Sequence, residues 1–297
     1  MNENYEPVTG EYRGISNQRN GFITVGLKVT NRCNLDCYHC CRYYDLGDMQ
    51  IGKAMRIVDN LSDGGVLRVN LTGGEPLLYK ELPELLEHLK SKKGLSTSLT
   101  TNGVILDRYK AGILASHLDN IKISLFSLEE NYGLITGGNE KSYRRVLDGI
   151  SYCVEKGLPV HIQTSVLEEN KARLEEMVGL CESIGVSKIT FYTNIEQAKG
   201  HELPFERKVP DSEVERLFLA LLEKREIEKW GMEVKLVRWP QKGQYILIFG
   251  DGTVTANPTN NPPNNFEVVG NALDESVEDL WGRYPHKDAH MDFYCSR

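Results

Sequence analysis

The chain contains no apolar run approaching the ~20 residues that a membrane-spanning helix needs, and residues 1–20 lack the hydrophobic core of an export signal. It has no low-complexity tract. Basic excess is missing too: 35 Lys and Arg stand against 42 Asp and Glu, a net charge of −7. No electrostatic footprint for nucleic acid follows from such a balance. These absences predict a soluble, cytoplasmic protein without a membrane or nucleic-acid partner. In that reducing compartment its seven cysteines would stay free thiols. A second cysteine pair at metal-ligand spacing is also lacking, because Cys153, Cys181 and Cys295 are scattered.

Three other cysteines are tightly grouped. Cys33-Asn34-Leu35-Asp36-Cys37-Tyr38-His39-Cys40 follows an apolar run directly. Three thiolates satisfy three irons of a four-iron cluster and leave the fourth open, whereas a cluster that only carries electrons normally takes four. A structural zinc site is the rival, using Cys33, Cys37 and Cys40 with Cys41 or His39. Zinc sites usually bring two separated ligand pairs, and the second pair is not there.

From residue 22 to about 192 the pattern alternates between strand and helix. Strands are predicted at 22–29, 66–71, 95–99, 121–126, 160–166 and 188–192. Helices are predicted at 49–61, 81–92, 107–116, 143–156 and 174–184. Leu82, Leu85, Leu86 and Leu89 show the spacing of an amphipathic helix. Gly64, Gly94, Gly157 and Gly185 stand where left-handed helix caps are expected. Six strands and five helices imply parallel βα units wound with one hand. Such a sheet does its chemistry at the C-terminal ends of its strands, which is where the cysteine loop falls.

After Gly200 the pattern changes. A charged helix at 211–229 leads to a strand at 233–239. A hairpin at 245–249 and 253–256 turns on Gly250-Asp251-Gly252, and an Asn/Pro-rich loop precedes a short helix near 275–284. This tail is expected to cap the mouth of the sheet.

A second motif, Thr72-Gly73-Gly74-Glu75-Pro76, ends the second strand. Paired glycines let the backbone approach a ligand, and a carboxylate beside them can hold an ammonium group. Alone, the motif is an ordinary strand-to-helix turn. Beside the cysteine loop it forms a constellation.

That constellation resembles the radical S-adenosylmethionine (SAM) superfamily from residue 22 to about 200. More narrowly it is similar to the branch of the molybdenum-cofactor cyclase and the SPASM/twitch enzymes. The matching pieces are Val29-Thr30-Asn31-Arg32-Cys33-Asn34-Leu35, Leu71-Thr72-Gly73-Gly74-Glu75-Pro76-Leu77-Leu78, Thr100-Thr101-Asn102-Gly103 and Ile123-Ser124-Leu125. The resemblance implies an α/β fold, a partial (β/α)6 TIM-like barrel with a small α+β C-terminal cap. It divides the chain into an extension (1–21), a core (22–200) and a degenerate twitch-like cap (201–297).

The implied cofactors are one 4Fe-4S cluster, held by Cys33, Cys37 and Cys40, and SAM on the open iron. His39 takes the position, usually aromatic, whose backbone faces adenine. Gly73, Gly74, Glu75 and Pro76 match the loop around the methionine amine. Thr101, Asn102 and Ser124 match polar positions lining the SAM or substrate site, and Gln163 and Thr164 are candidates for ribose or adenine contacts. Tyr192, Asn194, Arg238, Trp239 and Tyr245 are candidates at the mouth, with ordinary packing as the alternative. The implied reaction is hydrogen abstraction from an unactivated carbon of a small-molecule or peptide substrate, fed by a flavodoxin- or ferredoxin-type electron donor.

Three departures shape that expectation. Many peptide-modifying relatives carry an extra N-terminal leader-binding domain, which is not found here, so a sugar-like small molecule is favoured. The cysteine expected near Asn257-Pro258 is absent, which predicts no auxiliary cluster and favours epimerisation or rearrangement over oxidation. Phe126 replaces the usual Asp after the Ser-Leu strand. Cys153 and Cys181 fall on apolar helix faces and read as core, while Cys295 is a candidate hydrogen donor to a substrate radical or a vestige of a lost ligand.

Overall fold

The structure is a computed structural model that describes residues 21–40, 47–193, 207–228, 231–238, 246–256, 267–288 and 290. It opens with β1 (Thr24–Thr30), buried along its whole length. A regular alternation follows: α1 (Ile51–Asp63), β2 (Arg68–Gly73), α2 (Leu82–Lys90), β3 (Ser96–Thr101), α3 (Arg108–His117) and β4 (Asn120–Ser124). Next come α4 (Glu129–Thr136), α5 (Glu140–Glu155), β5 (Val160–Ser165), α6 (Leu174–Ile184) and β6 (Lys188–Tyr192). The tail supplies α7 (Asp211–Glu228), β7 (Glu233–Val237), β8 (Ile246–Ile248), β9 (Thr253–Ala256), β10 (Glu267–Asn271) and α8 (Val277–Arg283).

All the described strands join one sheet, in the order β10-β9-β8-β1-β2-β3-β4-β5-β6-β7. Every pairing from β8 across to β7 is parallel, and only the β8–β9 and β9–β10 pairs are antiparallel. Together with the helices this is the expected α/β architecture, a partial TIM-like barrel.

Strand alternation gives the sheet two unlike faces. On the outer face Leu27, Leu71, Leu99, Ile121, Ile162 and Ile189 are completely buried in a core shared with the helices. The helices answer with apolar stripes: Ala54, Ile57, Val58 and Leu61 on α1, and Leu82, Leu85, Leu86 and Leu89 on α2, as their spacing predicted. Each such leucine or isoleucine contributes about 2–3 kcal/mol of burial, so this layer dominates stability. The inner face is freed to be polar. There Asn70 bonds Ser98 and Thr100 across the strands, where a closed barrel would pack branched apolar residues.

The structure corrects several details. Gly94, Gly157 and Gly185 have the left-handed φ expected of caps, but Gly64 has φ −76° and Gly65 takes φ 71° instead. Gly64 answers a different demand, because a Cβ there would lie 2.3 Å from the Cβ of Val277. It lets the start of α8 sit on the end of α1. The helix α4 and the strand β10 were not predicted. At the start of the described tail, Arg207 lies over Tyr38 of the cysteine motif, while the end of the tail packs on α1 and before β1. Asn60 on α1 bonds the backbone of Ala272, Glu275 and Val277, and Trp281 and Tyr284 close on Phe22 just before β1. β7 extends one edge of the sheet and β8–β10 the other. Their strand pattern and apolar faces complete the sheet's pairing rather than build a separate layer. The hairpin turns where predicted, with Gly252 at φ 88°.

Candidate active site at the ends of the first three strands

β1 runs into the cysteine loop, and the chain ties that loop down on three sides. At its start, the Arg32 guanidinium forms a two-pronged bridge to Asp48 (3.0 and 2.6 Å) and donates to the carbonyl of Leu78. Asp48 also accepts from Thr30. Burial acts to raise the Asp48 pKa, but the hydrogen bonds from Arg32 and Thr30 and the Arg32 charge outweigh it and hold the carboxyl below its usual value. The outgoing chain is anchored by Met49 N–H on Val29 O and by the Tyr79 hydroxyl on Met49 O.

The second tie is the glycine pair. Gly74 N–H donates to Thr30 O (2.8 Å) and Glu75 N–H to Arg32 O (2.7 Å). A Cβ on Gly73 would sit 2.2 Å from Thr30 O, and one on Gly74 2.2 Å from Arg32 O. Only glycine lets the end of β2 lie this close to the loop.

The third tie is α4. Its last carbonyls, Ile135 and Thr136, accept from Tyr38 N–H and Asp36 N–H within the cysteine motif. The Tyr38 hydroxyl donates to Glu169 (2.5 Å) while Arg207 lies 4.7 Å over its ring. Sequence reasoning missed this support. The signal was present: Glu129-Glu130 suits a helix start, and Gly137, the left-handed cap, marks its end.

Glu75 is completely buried and turned inward. Its carboxylate accepts from Leu77 N–H (3.0 Å), the Thr101 hydroxyl (2.7 Å) and Asn102 N–H (2.7 Å). Burial raises its pKa and these donors oppose the rise. Glu75 and Thr101 thus form an internal brace between the ends of β2 and β3, and Pro76 opens the 3₁₀ turn that Glu75 caps. Asn102 carries the brace to the cysteines, with its side-chain amide 3.7 Å from Cys33 Sγ and 2.8 Å from Asn34 Oδ1.

His39 is buried against Phe126, ring centroids 4.3 Å apart, so two departures from the family pattern meet. Burial lowers its pKa to about 4, leaving a neutral ring. Its Nδ1 is buried without a hydrogen-bond partner. On the far wall Ser124 and Gln163 pair in register at the ends of β4 and β5, and Gln163 donates to the Tyr192 hydroxyl (2.9 Å). Thr164 points the other way: it is completely buried and gives its hydroxyl to Leu125 O. Arg238 pairs instead with Glu215. Cys153 and Cys181 are core, as predicted, and burial pushes both thiols up to about 12. Cys41, Asn194, Trp239, Tyr245 and Cys295 lie outside the described residues.

The donor set fits an iron–sulfur centre. Burial raises the Cys37 thiol's pKa most, and the nearby Cys40 and Cys33 add to it. Such thiols ionise when iron replaces their protons. Among the described residues no three His, Cys, Asp or Glu converge on a single ion; a four-iron cluster instead asks each thiolate to bind its own iron. The unpartnered His39 Nδ1 is a buried polar atom that a nucleoside-bearing cofactor could satisfy.

Known proteins agree with this geometry. The family described as the Radical SAM superfamily matches residues 27–181. A probable GTP 3′,8-cyclase of Methanococcus maripaludis is 31% identical over 229 residues, covering 71% of this chain and 74% of that protein. Among solved structures, Streptococcus suis SuiB bound to S-adenosylmethionine superimposes with TM-score 0.74 at 18% identity, over 94% of this chain and 69% of that one. Native anSMEcpe with bound AdoMet gives 0.69 at 16%, over 90% and 82%. A three-cysteine loop braced by a Gly-Gly-Glu-Pro turn, on a barrel shared with SAM-bound structures, places the chain in the radical SAM superfamily, in the branch of the GTP 3′,8-cyclases, with a 4Fe-4S cluster and SAM as its cofactors.

Proposed function

We propose that this chain abstracts a hydrogen atom from an unactivated carbon of a small, sugar-like natural product held inside the barrel. The outcome we propose is an epimerisation or rearrangement. The observation that carries this reading is the cysteine loop wired, through Asn102 and Glu75, to the ends of β2 and β3. With the cluster and SAM bound, the site would have the one-electron chemistry that hydrogen abstraction needs.

The protein's own part is to hold and to exclude. Cys33, Cys37 and Cys40 would hold the 4Fe-4S cluster, with SAM beside them. The backbone at Gly73 and Gly74 would meet the SAM amine, while the enclosed Glu75 acts through Thr101 and Asn102. His39 would lie at the adenine. Ser124 and Gln163 would face ribose or substrate, and Thr164, bonded to Leu125 O, ties their two strands. The barrel wall keeps water from a reactive centre. Cys295, the last cysteine of the sequence, would return a hydrogen from the opposite face. A flavodoxin- or ferredoxin-type protein would supply the electron, in the cytoplasm; no described helix is long and apolar enough to cross a membrane. The redox-neutral outcome is supported by the lack of a cysteine near Asn257-Pro258, where an auxiliary-cluster ligand is expected. Peptide modification is the alternative. SuiB has been solved with its precursor peptide, but at 16% identity that likeness concerns the fold.

Anaerobic reconstitution tests the reading. About four irons per chain are expected, with 5′-deoxyadenosine released on adding dithionite and SAM. A cluster-loaded protein that yields none above background overturns it. GTP, which the name of the Methanococcus relative gives as its substrate, is the first compound to supply.

A further inference from the structure

Strands β1 to β7 turn every second side chain toward the concave face, and register sorts these residues into layers. Nearest the base Thr24, Arg68 and Ser96 pair in register, and above them come Gly26, Asn70, Ser98 and Asn120, all neutral. Above them runs a ring. Lys28 pairs with Thr72, Thr100 with Lys122, Lys122 with His161, His161 with Lys188, and Lys188 with Glu233. Thr72 and Thr100 both follow the Leu71–Leu99 pair, so the ring is continuous from β1 to β7. One layer nearer the mouth come Ser124, Gln163, Thr190 and Lys235. Among the described strand residues, these two layers hold Lys28, Lys122, Lys188, Lys235 and His161 against Glu233 alone.

This arrangement is costly in a chain of net charge −7. Lys122 and Lys188 flank His161 from the two neighbouring strands, about 4.8 Å to either side, and taking an ammonium group out of water costs free energy unless it is well paired. Lys28, Lys188 and Lys235 are all more than nine-tenths buried. One carboxylate serves two of them, with Glu233 at 2.8 Å from the Lys235 ammonium and 3.7 Å from that of Lys188. Desolvation lowers the Lys235 pKa and Lys188 lowers it further, against the pull of Glu233. Lys28, on β1 itself, carries its ammonium 5.3 Å from the centre of the Phe249 ring. The outer face already supplies the core, so packing alone does not call for lysines here.

Resting on the radical reaction proposed above, we infer that the substrate is an anion whose phosphate or carboxylate group is bound inside the barrel by Lys28, Lys122 and Lys188. The group sits in the ring, and the reacting carbon projects toward the cysteine loop at the mouth. The ring therefore sets both the charge class of the substrate and its direction of entry.

Calorimetric titration of the reconstituted protein with inorganic pyrophosphate, and separately with citrate, tests this. One anion is expected to bind with a single site, pyrophosphate identifying a phosphate group and citrate a carboxylate. Lys28→Gln and Lys188→Gln should each weaken that binding at least about tenfold, Lys28→Arg should retain it, and Lys93→Gln on the exposed surface should leave it unchanged. A wild-type protein that binds neither anion overturns the inference whether or not the variants fold. Wild-type affinity in the folded ring variants overturns it equally. Deoxyadenosine formation in the same preparations reads the reaction separately: its loss with anion binding intact counts against the radical reading and not against the ring.

Discussion

The two sides of the barrel mouth are built differently. On the side of β1 to β3, hydrogen bonds and ion pairs run between elements distant in sequence: Arg32 to Asp48 and Leu78, Glu75 to Thr101 and Asn102, and Asn102 to Cys33. On the side of β4 to β6 the ties run to backbone carbonyls behind the wall, from Asn170 to Phe126 O and Ser165 O and from Thr164 to Leu125 O, while on the inward face Gln163 pairs with the Tyr192 hydroxyl. A cofactor that is the same at every turnover rewards a site built in advance, since fixed ligands waste no binding energy on ordering. A substrate is recognised through side chains that remain available to it. The difference thus separates invariant chemistry from adjustable specificity.

Breaking the wired side should have the largest effect. Cys37→Ser is expected to reduce iron below the level of a full cluster and to bring deoxyadenosine to background, both measurable in one reconstitution. Next comes Glu75→Gln, which puts an amide N–H₂ where a buried carboxylate accepted three donors. It should cost about 1–3 kcal/mol of stability, read by calorimetry, and weaken SAM binding through Asn102. The opposite wall should respond in kind but not in kinetics: Gln163→Leu is expected to raise KM for the substrate about fivefold, equivalent to one hydrogen bond, with SAM affinity unchanged. A Gln163 variant that lost SAM instead would erase the distinction between the two sides.

Two smaller effects sharpen it. Asn102→Ala removes an N–H donor from the Cys33 sulfur, so the cluster potential should become more negative by on the order of tens of millivolts, with iron content retained. Asp48→Asn should cost up to about 1 kcal/mol, because its partner Arg32 is half exposed. The sign with pH follows from the lowered carboxyl pKa. The wild-type advantage is fully present above the unfolded value of about 4 and closes as pH falls through the lower folded value. A gap that persisted at pH 2 would show that Asp48 contributes through packing and not through charge.

The parallel core was legible because its signals are local. Apolar runs, a leucine stripe at helical spacing and glycine caps each lie within a dozen residues, and the three cysteines announce a metal by spacing alone. What could not be read depends on pairings between distant segments. Nothing near Glu75 says that its carboxylate turns inward toward Thr101, because that depends on β2 and β3 lying side by side. Thr164 and Gln163 are neighbours in sequence, yet register places one in the wall and the other at the mouth. Lys28, Lys122, Lys188 and Glu233 are unremarkable one at a time and form a ring only once seven strands are aligned. The tail was harder still. Its short strands carry the same pattern whether they form a cap or continue a sheet, and pairing with β1 decides between them.

That pairing bears on how the protein is made. β1 lies between β2, its near neighbour in sequence, and β8, which is synthesised long after it. Until β8 arrives, the strand leading to the cysteine loop presents an open edge with unpaired N–H and C=O groups, a template for misassociation. Closing that edge requires a contact of very high sequence separation, which slows folding. Chains truncated before residue 246 would keep every cluster cysteine and the Gly-Gly-Glu-Pro turn, yet leave that edge unguarded. Strands made long after β1 are therefore its guardians, and the barrel around the cysteine loop is finished only when they arrive.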